Sequence, residues 1–187
     1  MKSEVEIRLL ECDVEKIIEK LEANKASFVG EWLQVRNCYD FNPVRENSWI
    51  RLRTNGVETT LTIKEIQNKN INGTKELEIV VSDFNDTDEI LNKLGYVSRS
   101  HQENKRIRYM LDDVEIDIDT WPHIPSYVEF EGKCEEDIRK VCSKLDINFD
   151  SLTTLDVVGI YEHYGYKDDA MKNLSLEENR RINFKRR

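Results

Sequence analysis

The sequence predicts an α+β fold: a closed, eight-stranded antiparallel β-barrel with helices packed on its outside. Three observations predict it. Apolar and polar residues alternate with period two through eight separate segments. Two of the gaps between segments carry turn residues that set a hairpin register. Almost every segment has one apolar face and one face of full charges.

In chain order, strands are expected over 2–10, 28–39, 48–54, 57–65, 75–81, 103–111, 114–120 and 126–132. Helices are expected over 13–24, where Val14, Ile17, Ile18 and Leu21 share a face, and over 86–94, between an Asp86–Glu89 cap and a Leu94-Gly95 stop. Two more follow over 135–145, with Ile138, Val141, Cys142 and Leu145 aligned, and over 152–164, closed by Gly165. Residues 171–187 lack a sustained apolar period, end in Lys185-Arg186-Arg187, and read as a loosely held tail. The expected division is therefore one domain over 1–168 and a tail over 169–187.

Asn55-Gly56, taken as a two-residue turn, sets Arg53 opposite Glu58 and Arg51 opposite Thr60. Asp112-Asp113, treated the same way, sets Arg108 opposite Asp117 and Arg106 opposite Asp119. In each pair one face is charged and the other holds Ile, Leu, Val and Tyr. A slip of one residue would scramble both faces.

Composition bounds the function. The 187 residues are 39% hydrophobic and 35% charged, with only 7 Gly and 3 Pro, a globular balance rather than a disordered one. A net charge of −9 disfavours a nucleic-acid binder. No apolar run approaches the roughly 20 residues of a membrane helix, and no apolar leader follows Met1. The expected location is cytoplasmic, with Cys12, Cys38, Cys134 and Cys142 as reduced thiols. A homodimer is left open.

For any one strand, a charged face in water is the ordinary reading. Solvated faces usually mix Lys, Thr, Gln and Ser with their charges, whereas these carry Glu, Asp and Arg in doublets two residues apart. If the barrel closes with its apolar face outward under helices, the charges line the inside, where they require water, ions or a charged ligand. Glu4, Glu6, Glu78, Asp117, Asp119, Glu129 and Glu131 would supply hard oxygen ligands suited to Mg²⁺ or Mn²⁺. Arg51, Arg53, Lys64, Arg106 and Arg108 would supply cations for phosphate, beside Arg8. A metal held beside such cations suits a polyphosphate. The three histidines, His101, His123 and His163, fall off the charged face, and no Gly-rich phosphate loop is present.

Glu4-Val5-Glu6-Ile7-Arg8 resembles the ExExK signature of the CYTH superfamily, the triphosphate tunnel metalloenzymes. Trp49-Ile50-Arg51-Leu52-Arg53 resembles its LRxR strand and Leu61-Thr62-Ile63-Lys64 its LTxK strand. Lys75-Glu76-Leu77-Glu78 is similar to its next acidic strand, and Asn104 to Tyr109 to its KxRxxY strand. Glu115 to Asp119 and Tyr127 to Gly132 resemble its closing acidic strands. The match runs in order from residue 4 to about residue 166 and is most similar to the class IV adenylate cyclase-like bacterial group. Arg8 and Asn104 stand where the signatures have Lys, and Arg36 where the second strand often has Asp.

The resemblance implies an eight-stranded tunnel, Mg²⁺ or Mn²⁺, and a nucleoside or inorganic triphosphate. It places Glu4, Glu6 and Arg8 at the catalytic signature. The activity it implies is ATP conversion to cyclic AMP and pyrophosphate. Inorganic or thiamine triphosphate hydrolysis, or polyphosphate binding without turnover, are the alternatives.

Overall fold

Across the residues described by the computed structural model, 1–167 and 172–176, ten strands form one sheet that rolls up on itself. They are β1 Lys2–Ser3, β2 Val5–Leu9, β3 Ser27–Tyr39, β4 Ser48–Thr54, β5 Thr59–Ile66, β6 Thr74–Val81, β7 Ser98–Leu111, β8 Val114–Thr120, β9 Tyr127–Gly132 and β10 Asn173–Leu174. The helices are α1 Val14–Ala23, α2 Phe84–Lys93, α3 Glu135–Lys144 and α4 Val157–His163, with a 3₁₀ turn at Phe149–Ser151.

The order around the sheet is β1-β6-β5-β4-β3-β7-β8-β9-β2. Because β1 and β2 are consecutive, they are two halves of one N-terminal strand, and counting them so gives eight strands around the barrel, as expected, with β10 as a ninth beside β7. The first half pairs with β6 and the second with β9. At the seam Glu4 N donates to Thr74 O and Glu6 N to Ile71 O, each at 3.0 Å. Farther along, Arg8 exchanges both backbone bonds with Thr153. The barrel is thus nearly closed, and little unpaired edge remains.

Alternation makes the outer face apolar, and the helices cover part of it, leaving Leu33 of β3 and Leu77 and Ile79 of β6 exposed. Ile7, Ile116, Ile118, Val128 and Phe130 pack under α1 and α3, meeting Leu21, Ile138, Val141 and Leu145. On the other side Tyr39, Ile50 and Leu52 pack under Leu91 of α2. Each such buried side chain contributes about 1.5–3 kcal/mol. A third cluster of Trp121, Ile124, Tyr127, Ile160, Tyr161 and Leu174 joins α4 and β10 to the barrel. No described helix is long and apolar enough to cross a membrane.

Several boundaries differ from expectation. The first hairpin pairs Thr54 with Thr59, Arg53 with Thr60 and Arg51 with Thr62, two residues away from the register a two-residue turn would give. Asn55 causes the shift: its Oδ1 accepts from Val57 N and Glu58 N, building a four-residue loop with Gly56 at φ +83°. An even shift preserves the faces, so only Val57 and Glu58 move, into the exposed turn. The second hairpin has the expected register, with Asp112 and Asp113 at φ 49° and 63°.

Residues 152–156 are not helical, because Thr153 pairs with Arg8; α4 starts where Asp156 caps Gly159 N. Asp83, not Asp86, caps α2. β7 begins five residues before the expected 103, since its polar start pairs with β3. Of the expected tail, residues 173–174 pair in parallel with β7 and bury Leu174, so that stretch is held rather than loose. The basic end, 185–187, lies outside the described residues.

Candidate active site

The inner face encloses a cavity of about 300 Å³. Glu4, Glu6, Arg8, Arg51, Arg53, Lys64, Glu78, Arg106, Arg108, Asp119, Glu129 and Glu131 all line it. Asp117 lies behind them, 3% exposed, between Arg106 and Arg108. The structure therefore brings the expected set to one place, and the period of two is the reason: a strand that turns Ile7 outward turns Glu6 and Arg8 inward.

Ion-pair lengths divide this face into parts. On β7 and β8 the charges neutralise one another. Arg106 holds Asp119 with Nε at 2.7 Å and Nη2 at 2.6 Å, reaches Asp117 with Nη1 at 2.6 Å, and touches Glu129 at 3.3 Å. Arg108 grips Asp117 at 2.7 and 2.6 Å. Arg8 takes Glu129 at 2.7 and 2.6 Å and Glu6 at 3.0 Å, and donates to Leu155 O. These are short, forked, charge-assisted bonds.

On β3 and β4 the arginines are loosely held. Arg51 meets Glu76 and Glu78 only at 3.4 and 3.3 Å, and Arg53 meets Glu78 at 3.7 Å. Buried Arg36 has no carboxylate within 4.0 Å among the described residues. Repulsion from Arg51, with burial, pushes Arg53 well below its usual value. Burial, then Arg51 and Arg106, push Arg36 down to about 10. A buried cation without an anion is costly, so this wall favours one.

On the opposite side Glu6 pairs with Arg8 at 3.0 Å and Glu115 with Arg108 at 2.5 Å. Glu131 pairs across β9 with Glu6 of β2 and Glu115 of β8, placing three carboxylates in a row. No cation lies within ion-pair distance of Glu131 among the described residues. Burial first, then Glu129, Glu115 and Glu6, push its carboxyl up to about 7. Burial and a hydrogen bond shared with Glu76 raise Glu4, against the pull of Lys64, which lies 2.8 Å from Glu4 and 2.9 Å from Glu76. Burial works against Glu129's charge, but Arg8 and Arg106 outweigh it and hold its carboxyl low.

A pH prediction arises here. A carboxyl whose pKa is raised on folding binds its proton more tightly folded than unfolded. The stability it contributes is present below the ordinary 4.5 and is lost as pH rises through about 7 for Glu131 and about 8 for Glu4. In chelator, the melting temperature is expected to fall between pH 5 and pH 9, and Mg²⁺ or Mn²⁺ is expected to reduce that fall. A flat profile would show that these acids do not crowd one another.

Hard, like-charged oxygens fit a divalent ion in donor chemistry. Among the described residues, no three His, Cys, Asp or Glu side chains already converge on one point. Glu6, Glu131 and Glu115 are the neighbours best disposed to share one, with Glu4 beside them.

A second cavity, about 620 Å³, adjoins the acidic end and shares Glu4, Glu76, Glu78, Glu115 and Glu131 with the first. Arg36, Gln102, Trp121 and Tyr127 line the first cavity alone. Sequence reasoning left Arg36, Glu76, Glu115, Trp121 and Tyr127 out of the site. Alternation marked Glu76 through Glu78, and Glu115 through Asp117. Trp121, just past the end of β8, carried no such signal.

A family model described as the CYTH domain matches residues 2–147. The chain belongs to the CYTH family. The family acts on triphosphates and is metal-dependent, generally with Mg²⁺ or Mn²⁺. No curated protein matches the sequence. Solved structures match its fold. PH1012 of Pyrococcus horikoshii OT3 superposes with a TM-score of 0.72 at 21% identity, covering 84% of this chain and 98% of its own. A Vibrio parahaemolyticus protein, described as a candidate adenylate cyclase, gives 0.70 at 11% identity over 86% and 98%. HpAC1 of Hippeastrum, a candidate adenylyl cyclase described as having a dominant triphosphatase activity, gives 0.59 at 13% identity over 90% and 98%. At these identities the likeness is one of fold. The CYTH match stops before α4, whose approach segment supplies Leu155 O to Arg8 and Thr153 to the seam.

Proposed function

We propose that this CYTH protein converts ATP to cyclic AMP and pyrophosphate with Mg²⁺ or Mn²⁺. The observation that carries the reading is the separation of charge across the barrel. Arg36 on β3 and Arg51 and Arg53 on β4 lack tight counterions. In the ring of eight, β3 lies four strands from β2 either way round, and β4 four from β9. The loose cations therefore face Glu6, which shares Arg8 with Glu129, and Glu131, which has no cation within ion-pair distance among the described residues.

In this reading Arg51 and Arg53 bind triphosphate oxygens. Glu6 and Glu131, with Glu4 and Glu115, hold the metal. When bound, the metal neutralises phosphate oxygens and favours loss of the leaving group. Arg106, Arg108, Asp117, Asp119 and Glu129 set the shape of the wall and orient Arg8. The ribose 3′-hydroxyl attacks the α-phosphorus and gives up its proton to solvent, while the bond from the α-phosphorus to the bridging oxygen breaks and pyrophosphate leaves. A second reading, hydrolysis at the terminal phosphorus, is favoured by cavity size. About 300 Å³ is the lower end of small-molecule pockets and takes a bare triphosphate whole.

Incubation with ATP, inorganic triphosphate and thiamine triphosphate, each with Mg²⁺ or Mn²⁺, tests both readings. Cyclic AMP with pyrophosphate supports the first, and orthophosphate supports the second. Binding of all three without product would overturn both and leave a polyphosphate-binding module. Saturating triphosphate with metal is expected to raise the melting temperature by mass action. Arg53→Ala is expected to raise KM about tenfold and change kcat little, since the contact serves ground and transition states alike.

A further inference from the structure

Arg36 is the least compensated cation of the inner wall. Among the described residues its Nη2 donates only to neutral amides, Gln34 Oε1 at 2.9 Å and Asn104 Oδ1. Its guanidinium carbon sits 4.6 Å from the centre of the Trp121 ring, which fixes the plane of the fork. Asn104 passes the contact on to Asp119 at 3.2 Å, but Asp119 is already held by Arg106. Arg36 is 6% exposed, and its Nε has no hydrogen-bond partner among the described residues.

It is not alone in this. Among the described residues, Arg51 Nε, Trp121 Nε1 and the Tyr127 hydroxyl are also buried without hydrogen-bond partners, and all four residues line the inner cavity. Each of these groups can donate a hydrogen bond, and two belong to cations. A neutral base would satisfy some of these donors and neutralise no charge. A phosphoryl group does both.

We propose that Arg36 is the specificity-determining residue of a terminal-phosphate subsite, formed with Arg51, Trp121 and Tyr127, that fixes the direction in which a nucleotide enters the tunnel. The inference rests on the triphosphate reading. A free terminal phosphoryl group carries close to two negative charges near neutral pH, whereas an esterified one carries a single charge. Arg36 therefore selects the unesterified end. Arg36 is absent from the acidic rim, which opens on the larger cavity. With its free end at Arg36, ATP places its α-phosphorus toward Glu6 and Glu131 and its nucleoside toward that larger cavity. Chemistry at the α-phosphorus requires that direction.

The test is titration calorimetry in EDTA with three probes: ATP, inorganic triphosphate, and ATP esterified at its γ-phosphate. The unsubstituted protein is expected to bind the γ-ester about tenfold more weakly than ATP, the effect of losing one charge-assisted contact. In Arg36→Gln that ratio is expected to shrink to within about threefold, because ATP alone loses affinity. Arg36→Lys, which keeps the charge and loses the fork, should fall between.

Equal binding of ATP and its γ-ester by the unsubstituted protein would overturn the proposal. So would an unchanged ratio in Arg36→Gln. Binding of neither ATP nor inorganic triphosphate would overturn the triphosphate reading and this inference with it. Melting supplies the control. Removing an uncompensated buried charge should leave Arg36→Gln at least as stable as the parent, and a variant that melts lower or fails to fold would show Arg36 to be structural.

Discussion

Glu131→Gln and Glu6→Gln are each expected to lower metal-dependent turnover by about 100-fold or more while leaving the protein folded. Loss even of a group supporting a metal ligand typically costs 10–100-fold, so loss of a proposed ligand charge should cost at least the upper figure. What separates this from damage to the fold is the sign of the stability change. Glu131 lies in a row with Glu6 and Glu115, without a cation in ion-pair range among the described residues, and its carboxyl is pushed up to about 7. Above that pH the charged form opposes folding. Gln removes the charge and keeps the shape, so Glu131→Gln should melt higher than the parent at pH 8 in chelator and lose the response to Mn²⁺. Full activity in both variants would remove the metal from this row, whatever the fold.

Arg106→Met is expected to act in the opposite way, on stability before activity. Arg106 holds Asp119 and Asp117 at 2.6 Å and touches Glu129, and Asp117 and Asp119 are 3% and 1% exposed. Its removal leaves buried carboxylates short of a counterion, a change that costs about 3–5 kcal/mol. For a domain of this length that is a fall of about 6–20 °C in melting temperature. Arg106→Met combined with Asp119→Asn should recover part of the loss, because the pair is then removed together. A loss of triphosphate affinity without a fall in melting temperature would return Arg106 to the substrate-binding set in which the sequence placed it.

That reassignment shows what alternation can and cannot tell. The period of two separated inner from outer residues through both hairpins, and it survived the two-residue shift after Thr54 because even shifts preserve faces. It gave no means of ranking the arginines. Arg53 and Arg106 look equivalent along the chain. They differ because Arg106 faces Asp119 across β8 while Arg53 faces Thr60 across β5. The first pairing was legible in the Asp112-Asp113 turn, and its consequence is that Arg106 is already neutralised. The looseness of Arg36 and Arg51 was not legible, since it depends on how far Glu76 and Glu78 reach across a closed barrel. The helix expected from Leu152 failed for a related reason: the partner of Thr153 is Arg8, which lies 145 positions away along the chain.

The split N-terminal strand has a consequence for how the molecule comes into being. Glu4 and Glu6 precede the rest of the barrel along the chain, yet Glu6 acquires its neighbour Glu131 only when β9 has been synthesised. Pairings of such sequence separation are slow to form. A nascent chain that ends before residue 127 already contains every loose arginine of β3 and β4, and none of β9. The two walls meet when the first strand closes on the last, so the capacity to hold a triphosphate should appear late and abruptly, as a mark that folding is complete.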